Sequence, residues 1–539
     1  ISGMQNYGCE EEQCLRNGIA ATMKHFPGAG PNQNGMDSHS YEGRFNVFPG
    51  NNFQQHLMPF QAAVDVGVAA VMPCYSVYKS EVNGVLIPIA EDPYQVPAGF
   101  SPALMTDILK TQMGFTGMAT GDWGTSGDPY GNNAGLTTAQ RAANWLKAGS
   151  HQWGSDNVEL FRDALNEGYI DESHIDEAVG KILEMSFKLG LFENPYVDET
   201  EAAQIVRSQE HMLFGFDAQR RAIVMLENDN DVLPIVGSED NDSNEDGEVQ
   251  VFLDGIHDSD GEENSDGTGL VSAPIIDPDD GSESYYDPYV KDDSGADFLG
   301  EYDYTLPAVD PLLAVVEVGS PDEADIAILR IGSRRGQYFG LDAGVPVSFD
   351  GPFPGNDNDG GLEIAIGERN QVLDLFRVRD GYMGCNLAGD ALEAVPAANP
   401  DLKIVLVVYA DRQPIVKAFV DGLIPEALND VMDEGECVPY QDYYDGSSAD
   451  RALTSNVDNH DPDGESGVDA LLIDFGAYDR AVLDVLFDVN LPEGADWNYL
   501  DARLPFEIPS TDAAVDAQFE DVPGDSANPQ YILGEGDDY

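Results

Sequence analysis

The sequence predicts an α/β protein of two domains followed by a tail. At 539 residues the chain exceeds the roughly 250–300 residues at which single hydrophobic cores stop growing, and its apolar fraction of 42% can fill two cores. From residue 19 to about 195, short apolar runs alternate with helical periodicity, which is typical of repeated βα units around a parallel sheet. A second α/β pattern occupies residues 236–503, whereas 504–539 has little periodicity and is expected to form a tail.

The first domain, residues 1–195, is predicted to contain three strands and five helices. Ser101 precedes an apolar periodic run as a helix cap, and Gly190 follows the last helix as its stop signal. The predicted strands are Ile19–Phe26, Val68–Tyr75 and Phe115–Thr120. The predicted helices are Phe53–Val66, Ser101–Met113, Thr137–Lys147, Asn157–Gly168 and Glu172–Leu189.

The remainder of the chain is predicted to contain a linker with one helix and a second α/β domain. The linker covers 196–235 and its helix Glu201–Leu226, and an acidic insertion at 236–300 opens the second domain. The predicted strands are the apolar runs Val249–Leu253, Ile326–Ile331, Ile404–Tyr409 and Ala470–Phe475. Predicted helices lie at about Gln371–Phe376, Gln413–Val420 and Asp479–Phe487.

The acidic composition predicts a protein adapted to concentrated salt. Acidic residues outnumber basic ones 99 to 26, which gives a formal charge of −73 and strong self-repulsion at low ionic strength. At ~1 M salt the Debye length is only ~3 Å, so most of that repulsion is screened. The chain has no basic stripe to neutralise phosphates, which excludes nucleic acid as an expected partner. The acidic runs 238–248 and 257–267 leave structural Ca²⁺ open as an alternative, although neither has a bidentate Glu at the right offset.

The sequence also bounds location and redox chemistry. No apolar run approaches the ~18 residues of a spanning helix, so no membrane span is expected. Both the exterior and the cytoplasm of a salt-accumulating cell select acidic surfaces, and of the two an extracellular or cell-surface location is favoured. The five cysteines are an odd number, so at least one thiol is free.

Polar side chains cluster at the carboxyl ends of the three predicted strands of the first domain. Lys24 and His25 end the first strand, Tyr75 ends the second, and Asp122 follows the third. In parallel barrels that edge is where loops gather substrate. We therefore expect these side chains to lie close together.

Asp122 is the strongest candidate for a catalytic group. It lies beside Trp123, between glycines that allow close approach to the backbone. A carboxylate near an aromatic platform suits glycoside hydrolysis, in which it attacks the anomeric carbon. The alternative interpretation is that Asp122 only caps the next helix. Lys24 and His25 are suited to hydrogen-bonding vicinal sugar hydroxyls, and Tyr75, Met72 and Trp123 are the further candidate substrate contacts.

A retaining mechanism needs a second group that acts first as acid and then as base. Asp37-x-His39 is one option, because a nearby carboxylate can set the tautomer and pKa of a histidine that shuttles a proton. The alternative is that Asp37 and His39 shape the loop or hold sugar hydroxyls.

Several ordered motifs resemble glycoside hydrolase family 3. In the first half of the chain these are KHFPGAGPNQNGMDSH, VFPGNNFQQHLMPFQAA, AAVMPCYS, GFTGMATGDWG, KLGLFENPYVD and RRAIVMLENDNDVLPI. In the second half they are IVLVVYADRQPIV, ALLIDFGAYDRAVLDVLF and RLPFEIPS. The resemblance implies a (β/α)8-type barrel followed by an α/β sandwich domain. It also implies a retaining β-glycosidase, most often a β-glucosidase, that needs no cofactor or catalytic metal and acts on an oligosaccharide or β-glucoside.

The resemblance also implies roles for individual residues. Asp122 occupies the position of the family's nucleophile, and Lys24 and His25 occupy that of the pair that binds glycone hydroxyls. The Asp37–His39 element resembles the catalytic dyad of the β-N-acetylhexosaminidase branch. Other branches take the acid from the second domain, where Asp350, Asp357, Asp359 and Glu363 are the open candidates here.

Three departures from the family pattern affect the interpretation. Gly121 stands where Ser or Thr usually precedes the nucleophile, and His151 stands at an Asp position in AGSHQWGS. Family 3 barrels also begin with several βα units before the KHF strand, so the barrel is expected to be N-terminally incomplete in this sequence. Its edge would then be completed by a preceding segment, a partner chain or a second copy of the chain. The alternative to an enzyme is therefore a catalytically degenerate scaffold with a structural, self-assembling or carbohydrate-binding role.

Overall fold

A computed structural model provides the structure of the protein. It describes residues 1–5, 15, 18–33, 38, 44–78, 81–82, 85–86, 95–123, 133, 135–154, 157–206, 208–228, 232–235, 248–254, 275–276, 283–284, 314–333, 372, 375–376, 378–379, 396–410, 414, 416–420, 430–433, 436–439, 467–488, 502–510, 514 and 517–536. The chain divides into two compact units. Unit 1 contains Ile1–Ala202 and Gln518–Asp525, and unit 2 contains Ala203–Arg335, Pro346–Ala517 and Ser526–Tyr539.

Unit 1 contains eight of the described strands and most of the longer helices. The strands are β1 (Thr22–Phe26), β2 (Phe45–Asn46), β3 (Ala70–Pro73), β4 (Val77–Tyr78), β5 (Glu81–Val82), β6 (Val85–Leu86), β7 (Met118–Trp123) and β8 (Gln152–Gly154). The helices are α1 (Ser2–Gln5), α2 (Phe53–Asp65), α3 (Thr138–Lys147), α4 (Glu159–Asn166) and α5 (Glu172–Lys188), with a 3₁₀ turn at Ala98–Phe100 and a π-helix at Ala103–Gln112.

A parallel sheet in the order β1-β3-β7-β8 forms the centre of unit 1. Thr22 pairs with Ala70, and Ala70 pairs with Met118, so β1, β3 and β7 are aligned at the ends where the chain enters them. The three strands expected from the apolar runs are thus confirmed, and β8 is a short fourth strand that the apolar runs do not predict. Helices α2 and α3 and the π-helix bury apolar side chains such as Phe53, Leu104 and Trp145 in two adjoining clusters.

Local signals explain where several helices begin and end. Thr137 and Gln140 form a reciprocal capping box at the start of α3. The helix expected over Ser101–Met113 is present, but it is wound as a π-helix in which the Met113 N–H donates to the Ile108 carbonyl at 2.9 Å. The Ser101 hydroxyl accepts from the Leu104 N–H at 3.3 Å, as expected of a residue that starts a helix.

Helix α5 exposes an apolar stripe. Val179, Leu183 and Phe187 are 45%, 43% and 58% exposed and recur every four residues, which places them on one face. Phe187 stacks on Phe192 just beyond the helix, at 4.2 Å between ring centroids. This exposed face does not test whether a preceding segment, a partner chain or a second copy completes the barrel edge, so that completion stays a prediction.

The prediction of a single linker helix over Glu201–Leu226 is wrong. The structure has two helices, α6 (Glu199–Ile205) and α7 (Gln209–Arg220), followed by the strand β9 (Val224–Asn228). The Ser208 hydroxyl accepts from the His211 N–H and starts a new helix. The β-branched pair Ile223–Val224 favours extended backbone, and both residues are buried.

Unit 2 is built on a six-stranded sheet in the order β13-β10-β14-β15-β18-β9, in which β9 is antiparallel and the other five strands are parallel. The strands are β10 (Glu248–Asp254), β13 (Ala314–Glu317), β14 (Ile326–Ser333), β15 (Lys403–Ala410) and β18 (Ala470–Asp474). Two-stranded pieces are β11 (Ile275–Ile276) with β12 (Glu283–Ser284), and β16 (Asp430–Asp433) with β17 (Glu436–Pro439). The further helices are α8 (Lys417–Val420) and α9 (Asp479–Leu486), with a 3₁₀ turn at Pro321–Glu323.

Both faces of this sheet are covered. Alternate residues of β14 point into different clusters, with Leu329 and Ile331 on one face and Ile328 on the other. The near-continuous apolar runs of β14 and β15 are typical of parallel strands buried on both sides. Among the described residues of unit 2, the most buried ion pair joins Arg330 to Asp474 at 2.9 Å.

The last residues of the chain make specific contacts within both units. Ile508 and Tyr531 form a β-bridge in unit 2, whereas Gln518–Asp525 belong to unit 1. Within the described part of the chain, no helix is long and apolar enough to cross a membrane. The acidic runs 238–248 and 257–267 lie outside the described residues, so the Ca²⁺ alternative stays a prediction.

Candidate active site

The carboxyl edge of the unit 1 sheet carries the predicted site residues that the structure describes, and it brings His25 next to Asp122 and Tyr75 next to Trp123. Lys24 and His25 are near the end of β1, Tyr75 lies two residues after β3, and Asp122 and Trp123 end β7. The β1–β3 register shifts between Lys24 and Phe26, and such an irregularity re-aims side chains at a sheet edge. Because β1, β3 and β7 are parallel, these residues meet at one edge, as the sequence predicts.

The central contact of the site is between His25 and Asp122. His25 Nε2 lies 3.7 Å from Asp122 Oδ2, and the two side chains are 33% and 26% exposed, so both are partly enclosed and still accessible. The other carboxylate oxygen, Oδ1, accepts from the Trp123 N–H at 2.7 Å. One oxygen is therefore oriented by the backbone while the other faces the histidine.

Aromatic side chains border this carboxylate. The Tyr75 hydroxyl donates to the Trp123 carbonyl at 2.6 Å, which ties the segment after β3 to the end of β7. Trp123 is 63% exposed, so its ring is available to a ligand. Lys24 is exposed and Met72 is partly buried.

Several predicted site residues cannot be located. Asp37 and His39 lie outside the described residues, and so do Asp350, Asp357, Asp359 and Glu363. The choice between a proton shuttle near β1 and an acid from the second domain therefore stays open. The part of the chain that is described contains no cluster of three or more His, Cys, Asp or Glu side chains suited to a metal.

A buried polar network behind the site was not identified from the sequence. The Asn46 amide, which is fully buried, donates to the Gly28 carbonyl at 3.3 Å and to Asn32 Oδ1 at 3.0 Å. The Ser76 hydroxyl donates to the same Asn32 oxygen at 3.1 Å. These bonds join the turn after His25 to the segment that contains Tyr75. Asparagines in a Gly- and Pro-rich stretch are typical of ordinary turns. Only the contacts in the structure show that Asn32 and Asn46 hold the site from behind.

The unusual Gly121 is explained by its packing. A Cβ at this position would lie 2.9 Å from Trp145 Cη2 and 3.1 Å from Cζ2. Trp145 is fully buried and stacks on Trp153 at 5.4 Å between ring centroids. A serine or threonine before Asp122 would therefore collide with Trp145. The absence of a side chain at Gly121 leaves room for Trp145 beneath β7.

His151, the other departure, is a buried neutral residue that supports β7. Its Nδ1 accepts from the Ala119 N–H at 2.9 Å, and its own N–H donates to the Ala119 carbonyl at 3.0 Å. Burial, and then the positive charges of Lys110 and Lys181, lower the pKa of His151 from 6.5 to about 3. His151 Nε2 faces Lys110 Nζ at 3.1 Å, and burial lowers the pKa of that lysine as well. His151 therefore fixes the backbone three residues before Asp122.

Comparison with known proteins gives a family match for the first part of the chain and several similar proteins. Residues 1–185 match the family model described as "Glycosyl hydrolase family 3 N terminal domain". The chain is 27% identical over 532 residues to "Beta-glucosidase C" of Emericella nidulans, which covers 97% of this chain and 61% of that protein. It is 32% identical over 257 residues to "Periplasmic beta-glucosidase/beta-xylosidase" of Dickeya chrysanthemi, which covers 44% of this chain and 38% of that one.

Solved structures show the same fold. A β-glucosidase from Listeria innocua in complex with glucose has a TM-score of 0.56 and 17% identity, covering 97% of this chain and 58% of that one. Residues 1–185 therefore resemble the N-terminal domain of glycoside hydrolase family 3, and the chain is similar over most of its length to a β-glucosidase. The chain spans about 60% of the length of the β-glucosidase C relatives that it matches. The names of these relatives do not favour the alternative of a degenerate scaffold.

The buried His151 predicts how stability depends on pH. The folded-state pKa of about 3 lies below the usual 6.5, so the unfolded chain binds the proton more readily. This stabilisation is complete above pH 6.5 and is lost as the pH falls toward 3, at about 1 kcal/mol per pH unit. In His151→Asn, whose amide oxygen can still accept from the Ala119 N–H, the free energy of unfolding should fall less between neutral and mildly acidic pH than in the wild type.

Urea unfolding in molar salt at the two pH values measures this difference. His211→Asn replaces a histidine exposed on α7 and serves as the matched control, which should keep the wild-type slope. Equal slopes for His151→Asn and the wild type would contradict a neutral buried His151.

Proposed function

We propose that the protein is a retaining, exo-acting β-glycosidase that releases terminal β-D-glucosyl or related residues from oligosaccharides. The single observation that carries the proposal is the approach of His25 Nε2 to Asp122 Oδ2, 3.7 Å apart and partly open to solvent. A carboxylate oriented by a backbone N–H, next to a histidine and an exposed tryptophan, is suited to bind a sugar and attack its anomeric carbon.

The mechanism assigns roles to four of the located residues. Asp122 attacks the anomeric carbon and forms a glycosyl ester while a general acid protonates the departing oxygen. That group then removes a proton from water, which hydrolyses the ester. Lys24 and His25 donate hydrogen bonds to glycone hydroxyls, and Trp123 supplies an apolar face for the sugar ring.

The sugar is expected to be β-glucose or a near relative. Support comes from the names of the related proteins, which include β-glucosidases and enzymes named for both β-glucoside and β-xyloside cleavage. Rates with p-nitrophenyl β-glucoside and p-nitrophenyl β-xyloside in molar salt compare the two sugars directly.

Replacing Asp122 tests the nucleophile. Asp122→Asn keeps the shape of the side chain and removes its negative charge, so kcat for p-nitrophenyl β-glucoside should fall at least ~10³-fold. Asp107→Asn removes the same charge from an exposed position on the π-helix and should leave kcat unchanged. An Asp122→Asn enzyme that turns over like the control would exclude Asp122 as the nucleophile.

The general acid is proposed to be His39, with its proton affinity set by Asp37. His39→Ala should slow substrates with poor leaving groups by ~10²-fold or more and spare dinitrophenyl glycosides, which need little protonation to depart. Added azide should rescue the second step by attacking the glycosyl enzyme. The same pattern in Asp350→Asn, Asp357→Asn, Asp359→Asn or Glu363→Gln, but not in His39→Ala, would assign the acid to the second domain instead.

We also propose that the protein works in concentrated salt and outside the cytoplasm. The formal charge of −73 supports the first statement, because screening is needed to offset self-repulsion. The urea midpoint of unfolding should rise steeply between ~0.1 M and ~2 M KCl, and activity should rise with it. A urea midpoint that is flat across this range would contradict salt adaptation.

Completion of the barrel edge by a preceding segment, a partner chain or a second copy remains a prediction.

A further inference from the structure

Asp521 lies almost at the end of the chain and is fully buried. It belongs to the C-terminal strap, which we define as residues 518–525. The strap is part of unit 1, although the chain on both sides of it belongs to unit 2. A buried carboxylate needs partners, and the partners of Asp521 come from the loop that precedes α2 and from α2 itself.

Four hydrogen bonds hold Asp521 against Gly50, Asn52 and His56, and we call these three residues its seat. Its two carboxylate oxygens accept from the Gly50 and Asn52 N–H groups, each at 2.7 Å. Its backbone carbonyl accepts from Asn52 Nδ2 at 2.9 Å and lies 2.9 Å from His56 Nε2. Because a carbonyl can only accept, Nε2 of His56 must carry a proton in this contact.

Gly50 lies so close to the strap that only a glycine fits at this position. A Cβ at Gly50 would lie 2.2 Å from Val522 Cγ2 and 2.9 Å from Asp521 Oδ1, so no larger residue fits there. The N-cap of α2, Asn52, makes no side-chain capping bond of its own. The Asp521 carboxylate instead satisfies backbone donors at this helix start, where a negative charge is favoured.

His56 connects the seat to the turn that follows the sugar-binding pair. A Cβ added at Gly28 would lie 3.6 Å from His56 Cβ, and one added at Gly30 would lie 3.8 Å from His56 Cε1, so the turn runs beside His56 with room for no more than about a methyl group between them. The Gly28 N–H donates to the His25 carbonyl at 2.8 Å. A path of hydrogen bonds and one close approach therefore leads from Asp521 to His56, past Gly28, and on to His25.

We propose that Asp521 is a positioning residue for substrate binding. By holding His56 and the start of α2, the C-terminal strap supports the turn after β1 and so presents Lys24 and His25 to the sugar. This inference rests on the proposed function for the role of the pair, while the mechanical link from the strap to the turn stands on the contacts alone. Asp521 and His56 are more than 460 positions apart in the sequence.

Steady-state kinetics distinguish positioning from general destabilisation. Asp521→Ala, in the full-length chain and in molar salt, should raise KM for p-nitrophenyl β-glucoside about tenfold with a smaller change in kcat, because glycone binding is weakened. Asp521→Asn keeps one acceptor oxygen and should show an intermediate KM. Asp65→Ala removes a carboxylate from the other end of α2 and should match the wild type.

A purely structural role for Asp521 would give a different pattern. It would lower kcat in proportion to the fraction of folded protein and leave KM unchanged, and that result would overturn the proposal. If Asp521→Ala does not fold, the same comparison is made with Asp521→Asn.

Hydrogen exchange provides a readout that does not depend on activity. In Asp521→Ala or Asp521→Asn, backbone amides of 24–31 and 48–56 should exchange at least severalfold faster than in the wild type, while those of α5 are unchanged. Faster exchange confined to 48–56, or no change in either segment, would overturn the proposal. If the wild type cleaves no glycoside, the proposed function fails, and the exchange experiment still decides whether the strap supports the turn.

Discussion

The parallel alignment of β1, β3 and β7 is the constraint on which the site depends. His25 and Asp122 are nearly a hundred residues apart in sequence and lie on strands separated by β3. They approach to 3.7 Å because Thr22, Ala70 and Met118 are paired across the sheet and the three strands end at one edge. A change of register by one residue would turn the side chains of a strand to the opposite face and separate the carboxylate from the histidine.

The layers behind this edge hold the strands in place by different means. Beneath β7, the stacked Trp145 and Trp153 fill the space next to Gly121, and the neutral His151 binds Ala119 through both its ring and its backbone. Behind β1, the buried amide of Asn46 holds the Gly28 carbonyl. An aromatic core and a few satisfied polar groups thus support the site within a chain whose formal charge is −73.

The sequence predicts β1, β3 and β7 and places the candidate residues that the structure describes at their ends, and it fails where contacts between distant residues decide the outcome. Apolar runs bounded by glycines are strong local signals, so β1, β3, β7 and the placement of Asp122 at a strand end were predictable. The break at Ser208 and the strand β9 were missed, because helical periodicity continues across them and burial in the unit 2 sheet overrides it. The seat of Asp521 has no local signature, since its partners lie about 470 residues earlier in the chain.

The proposed mechanism forms a covalent bond between the sugar and Asp122, and trapping that intermediate tests the mechanism most directly. A 2-deoxy-2-fluoro-β-glucoside with a dinitrophenyl leaving group slows hydrolysis of the glycosyl enzyme and allows it to accumulate. Mass spectrometry of the digested protein should then find one fluoroglucosyl group per chain, on the peptide that contains Asp122. A label on a different carboxylate, or steady release of dinitrophenol without any labelled peptide, would contradict the assignment of Asp122 as the nucleophile of a retaining glycosidase.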